Sequence, residues 1–77
     1  MYNQTEMAHT KKMRILLGEI RYDKNLTLMQ LAAMSGISKS TLNNIENEKT
    51  SPTLKQLEAI ARALGVRITD LFESEYK

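Results

Sequence analysis

Between residues 38 and 47 the chain sets out Ser38, Lys39, Ser40, Asn43, Asn44 and Asn47, short or hydrogen-bonding side chains at spacings one outer helical face can carry. Asparagine can pair with adenine at two points, lysine with guanine O6 and N7, and serine with several base edges. The group is almost uncharged and lacks the long Glu/Lys pairs that usually decorate a solvated helix. Its chemistry is that of reading base edges rather than of a plain wet surface. Lys49, Thr50 and Ser51 follow directly, and all three can donate to phosphate oxygens.

Catalytic chemistry lacks parts. His9 is the single histidine and there is no cysteine, so neither a nucleophile–base pair nor a metal cluster of familiar type can be assembled. Glu46 and Glu48 stand two apart, a spacing that does not bring side chains together on a helix. Gly18, Gly36 and Gly65 are isolated from one another, so no glycine-rich phosphate loop exists. His9 reads as an exposed bystander, and no enzyme, cofactor or metal is expected.

Elements that position the polar face can be read from caps and stops. Thr27 with Gln30 three residues on forms a capping box, and Leu26 with Leu31 a hydrophobic staple across the same helix entrance. That helix runs to Gly36, the residue type that most cheaply turns left-handed past a helix end. Ser38 then caps a second helix, with Ile37 and Leu42 repeating the staple and Leu42 and Ile45 facing inward. Two short helices joined so tightly must cross steeply with a small residue between them, a role that suits Ala32. The pair has the geometry of a helix-turn-helix whose second helix enters a DNA major groove.

The spacing Leu31-Ala32, Gly36-Ile37-Ser38, Leu42, Ile45-Glu46, Pro52 and Leu64-Gly65-Val66 resembles the helix-turn-helix of phage Cro and repressor proteins, the XRE family. The resemblance covers about residues 12 to 73. It implies an all-α fold, a compact five-helix lambda-repressor-like domain. It also implies that Ser38, Lys39, Ser40, Asn43, Asn44 and Asn47 face bases, that Thr27, Lys49, Thr50 and Ser51 face phosphates, and that Glu46 makes a structural bond near the turn. Three positions depart from the family pattern. Gly18 stands where relatives often carry a basic residue, Leu28 where they carry a phosphate-bonding Gln, and Glu48 where they carry Gly. Leu28 cannot make that side-chain bond, although backbone N–H groups at the helix end can still hold a phosphate. Glu48 is expected to point away from DNA.

Outside the motif, Met13, Leu16, Leu17 and Ile20 fall at i, i+3, i+4 and i+7, which predicts an amphipathic first helix capped by Thr10 and ended by Asn25 in the left-handed region. Ile15 lies off that face. Thr53 and Gln56 predict another capping box, opening a helix with Leu57, Ile60, Ala61 and Leu64 inward and Gly65 at its end. A last short helix is expected over about residues 68 to 73, with Asp70 near its amino end. Residues 1–9 lack periodicity and read as a flexible N-terminal arm, with the domain over 10–77. Met29 and Met34 read as core filler.

At 77 residues and without disulfides, one small core must stabilise the whole chain. A net charge of +2 and a pI near 9.0 permit nucleic-acid binding without demanding it. No apolar run approaches about 18 residues and no secretory signal is visible, so a cytoplasmic protein is expected. One such domain covers only about 600–1,000 Å² of DNA, so two copies on half-sites roughly 34 Å apart are expected. A homodimer would use Val66, Ile68, Leu71, Phe72 and Tyr76. The function expected is that of a stand-alone repressor on double-stranded DNA at a pseudo-palindromic operator. A restriction-modification controller, or an antitoxin that binds a protein first and DNA second, are the alternatives.

Overall fold

Residues 13–77 are described by the computed structural model. A short strand β1 (Arg14–Ile15) leads into α1 (Leu17–Asp23), α2 (Leu28–Ser35), α3 (Lys39–Glu46) and α4 (Leu54–Leu64). A 3₁₀ turn (Ile68–Leu71) and a second short strand, β2 (Phe72–Glu73), follow. Among the described residues four α-helices and a 3₁₀ turn therefore stand in place of the five expected helices. The two strands pair antiparallel, Arg14 opposite Glu73 and Ile15 opposite Phe72. None of the described helices is long and apolar enough to cross a membrane.

The main departure from expectation lies at the front. α1 begins at Leu17 with no side-chain cap, not upstream of Met13, and Thr10 lies outside the described residues. The cause is competition for backbone groups. The Leu16 N–H donates to the Leu71 carbonyl at 2.8 Å and the Ile15 N–H to the Glu48 carboxylate at 3.2 Å, so this stretch is satisfied without a helix. A helix would also have turned Ile15 away from the core. As a strand residue it packs against that core, and Met13, the first member of the expected helical stripe, is 55% exposed.

Local chemistry elsewhere acts as its residue types dictate. Thr27 and Gln30 close a reciprocal box at 3.0 and 2.8 Å, and Thr53 and Gln56 another at 3.0 and 2.9 Å. Asn25 at φ 57°, Gly36 at 76° and Gly65 at 71° take the left-handed turns that end α1, α2 and α4. The Asp70 carboxylate accepts from the Arg67 N–H at 2.9 Å and closes the 3₁₀ turn.

Leu17, Leu31, Leu42, Ile45, Leu57, Ile60, Ala61, Leu64 and Leu71 form one buried cluster to which every helix contributes. At about 1.5–3 kcal/mol for each large side chain removed from water, this cluster is the main stabilising term. Leu71 is 0% exposed and closes the core of its own chain, so it is withdrawn from the expected dimer surface. Met29 and Met34, at 68% and 51% exposed, are not core filler: α2 turns Leu31 inward, which carries both methionines outward.

Candidate nucleic-acid interface

α3 is held at both ends. At its start the Ser38 hydroxyl accepts from the Thr41 N–H at 3.2 Å and donates to the Thr41 hydroxyl at 2.8 Å. At its end Asn47 stays close, its amide donating to the Asn43 carbonyl at 2.9 Å and to the Asn43 side-chain oxygen at 3.1 Å. Inward, Leu42 and Ile45 are buried. The helix is thereby fixed in rotation, with Ser38, Lys39, Ser40, Asn43 and Asn47 exposed and Asn44 half-buried beside them.

These six side chains are brought together but are not equivalent. Lys39, Ser40 and Asn44 make no side-chain hydrogen bond among the described residues and keep their full donor and acceptor capacity. Ser38 is committed to its cap. Asn43 and Asn47 are committed to each other, which leaves the Asn43 amide hydrogens and the Asn47 oxygen outward. Residue types alone could not make this division, because the Asn43–Asn47 bond depends on a rotamer.

A bidentate ion pair aims the helix. Arg21 in α1 donates from Nε and Nη2 to the Glu46 carboxylate at 2.5 and 3.1 Å, and from Nη1 to the Leu26 carbonyl at 2.7 Å. The two side chains are only 18% and 11% exposed. The hydrogen bond to Glu46 holds the Arg21 guanidinium above its ordinary range against the opposing cost of burial. One arginine thus ties α1 to the end of α3 and to the residue before the α2 cap. It is the partner that the expected structural bond of Glu46 lacked in the sequence. Gly18 lies beside the pair, where a Cβ would stand 3.5 Å from the Glu46 oxygen, an ordinary contact.

The loop after α3 presents Lys49, Thr50 and Ser51 outward, all exposed. Its course is set by the Glu48 N–H on the Ile45 carbonyl at 3.0 Å and the Lys49 N–H on the Asn44 carbonyl at 2.9 Å. Glu48 takes φ 57°, a left-handed value where the family pattern has Gly, and its carboxylate reaches back to the Ile15 N–H. That bond ties the loop to β1. Thr27 is exposed with its oxygen engaged by the Gln30 N–H, which leaves the hydroxyl hydrogen free to donate. Leu28, beside it, is half-buried against the core. Among the described residues no group of three or more His, Cys, Asp or Glu side chains could hold a metal.

Known proteins resemble the chain across the segment that carries these elements. Residues 17–71 match the helix-turn-helix family HTH_3. The chain is 39% identical over 56 residues to the immunity repressor protein of Bacillus phage phi105, covering 73% of this chain and 39% of that protein. It is 32% identical over 60 residues to the HTH-type transcriptional regulator SinR of Bacillus subtilis, covering 77% and 54%. The chain thus spans about half or less of the length of these curated relatives. Among solved structures it is similar to the restriction-modification controller protein C.AhdI from Aeromonas hydrophila, with a TM-score of 0.68 and 28% identity over 70% of this chain and 82% of that one. The family match takes in both motif helices and the whole buried core, and the chain belongs to the helix-turn-helix family HTH_3.

Proposed function

We propose that the chain is a sequence-specific repressor that binds a pseudo-palindromic operator as a homodimer, with α3 in the major groove of each half-site. The observation that carries this reading is the division on α3. Lys39, Ser40 and Asn44 keep free hydrogen-bonding groups on a helix fixed in rotation by a cap, a buried leucine and an ion pair. Base edges are read by such groups, while Thr27, Lys49, Thr50 and Ser51 supply the phosphate contacts that set register.

Pairing of two copies is assigned to the carboxy-terminal end. With Leu71 taken by the core, the half-buried Val66, Ile68 and Phe72 and the exposed Tyr76 remain for a partner copy. Phe72 also lines a groove of about 450 Å³ whose other wall is the loop carrying Thr50 and Ser51, so the groove itself is left out of the pairing surface.

A mobility shift on the DNA flanking its own gene, at two salt concentrations, tests the reading. Asn44→Ala is expected to weaken binding to the specific site by about 1–3 kcal/mol and to relax preference at the base pair it reads, with non-specific binding unchanged. Lys49→Ala is expected to weaken all sequences alike and to lower the salt slope by about one. Sequence-blind binding by the unaltered protein would remove α3 from its reading role. The likeness to C.AhdI, covering most of that controller, supports a second reading in which the chain is a restriction-modification controller and not a simple repressor. A reporter driven from the bound site separates the two by the sign of its response.

A further inference from the structure

Two side chains next to α3 have no part in the contacts assigned so far. Leu28 and Met29 open α2, Leu28 half-buried and Met29 68% exposed, and with Arg21, Thr27 and Lys39 they line one shallow concavity of about 410 Å³. The polar groups of that concavity are mostly spoken for. The Arg21 guanidinium is held by Glu46 and the Leu26 carbonyl, and the Thr27 oxygen by the Gln30 N–H. What faces outward is a thioether, the edge of an isobutyl group, the Lys39 ammonium and, at the edge, the Thr27 hydroxyl hydrogen.

Beyond the Lys39 ammonium and the Thr27 hydroxyl hydrogen at its edge a phosphate oxygen finds no donor side chain there, and the Gln that could have bonded one is replaced by Leu28. Apolar carbon fits the rest. In the major groove the duplex presents one apolar group, the C5-methyl of thymine, and lysine suits guanine O6 and N7. The concavity is continuous with the reading face through Lys39, the first residue of α3. Methionine, unbranched and polarizable, adapts to such a contact without a rigid pocket.

We propose that Leu28 and Met29 form a methyl-reading subsite that contacts the C5-methyl of a thymine next to the base pair read by Lys39. This rests on the DNA-binding reading above and makes the first turn of α2 a second determinant of sequence. Burial of one methyl group is worth about fourfold in affinity per half-site.

The test uses the full chain and a duplex selected from a random DNA pool, with each thymine replaced singly by deoxyuridine, which removes the methyl group alone. Binding by the unaltered protein is expected to weaken about fourfold at one thymine per half-site. Met29→Ala, an exposed substitution, is expected to bind the selected duplex about fourfold more weakly and to be indifferent to uracil at that same position. Methyl dependence at no position, or one that persists undiminished in Met29→Ala, overturns the subsite while the DNA reading stands. An effect of Met29→Ala that disappears when a flanking phosphate is replaced by methylphosphonate places the patch on the backbone and also overturns it. Selection that yields no preferred duplex overturns the DNA reading and the subsite together.

Discussion

α2 and α3 are built to one plan inward and to two plans outward. Each is eight residues long, each is opened by a hydroxyl cap, each buries a leucine completely and each is followed by a left-handed residue. Their outer faces differ. α2 shows Met29, Gln30, Ala33 and Met34, whereas α3 shows Lys39, Ser40, Asn43 and Asn47. Their stops differ as well: α2 ends on Gly36, around which an added Cβ would touch nothing, and α3 runs through Asn47 to Glu48, whose side chain is used. The inner plan is what folding requires, and the outer one is the face proposed above for DNA.

The largest expected effect tests the inner equivalence. Leu31 and Leu42 are both 0% exposed in the same cluster, so Leu31→Ala and Leu42→Ala should each cost about 3 kcal/mol. Urea titration followed by helical circular dichroism measures both. A loss confined to one of them would mean that the two helices do not share a single core.

The second prediction concerns what holds the plan in place. Arg21→Ala leaves the Glu46 carboxylate largely buried and unpaired and frees the Leu26 carbonyl, at an expected cost of about 2 kcal/mol once its partial exposure is allowed for. Arg21→Lys should recover little, because an ammonium cannot supply the fork that spans both partners. Adding Glu46→Gln to Arg21→Ala should cost much less than the sum of the two, which a double-mutant cycle reads directly. Because the folded-state value of Arg21 is raised, its contribution is fully present below the ordinary arginine range and is lost only as pH rises past the raised value. The deficit of Arg21→Ala should therefore stay constant through neutral pH. A deficit that shrinks there would show that the pair is not what Arg21 contributes.

Legibility divides along the same line. Thr27 with Gln30, Ser38, Gly36, Gly65 and the inward leucines each act through neighbours three or four residues away, and local spacing is enough to find such pairs. β1 was not legible because its partners are remote. Ile15 is satisfied by Glu48 and by Phe72, far along the chain, while Met13, Leu16, Leu17 and Ile20 satisfy a helical template that nothing local contradicts. The last element turned 3₁₀ for a related reason, since pairing with β1 extends the chain from Phe72 onward. On the candidate site, residue types indicate which side chains could read bases. They do not indicate that Asn43 and Asn47 bond each other, or that Met29 stands beside Lys39.

The smallest expected effect bears on the two stops. A non-glycine residue at φ 57° is disfavoured by about 1 kcal/mol, a cost that Gly36 avoids, and Glu48 offsets it with the bond to the Ile15 N–H. Three substitutions separate these terms. Glu48→Gln keeps both the strained turn and an acceptor for Ile15, and should leave stability within about 0.5 kcal/mol of the unaltered chain. Glu48→Ala keeps the strain and loses the acceptor, for a loss of about 1 kcal/mol and faster exchange of the Ile15 amide. Glu48→Gly relieves the strain while losing the same bond, so its stability should return close to the starting value although Ile15 exchanges as fast as in Glu48→Ala. Equal stability and equal Ile15 exchange in the Gln and Ala variants would reduce Glu48 to a bystander. The end of α3 would then be as simple as the end of α2, and the tie between the loop carrying Lys49 and the amino-terminal strand would have to be sought in the apolar contacts of Ile15 alone.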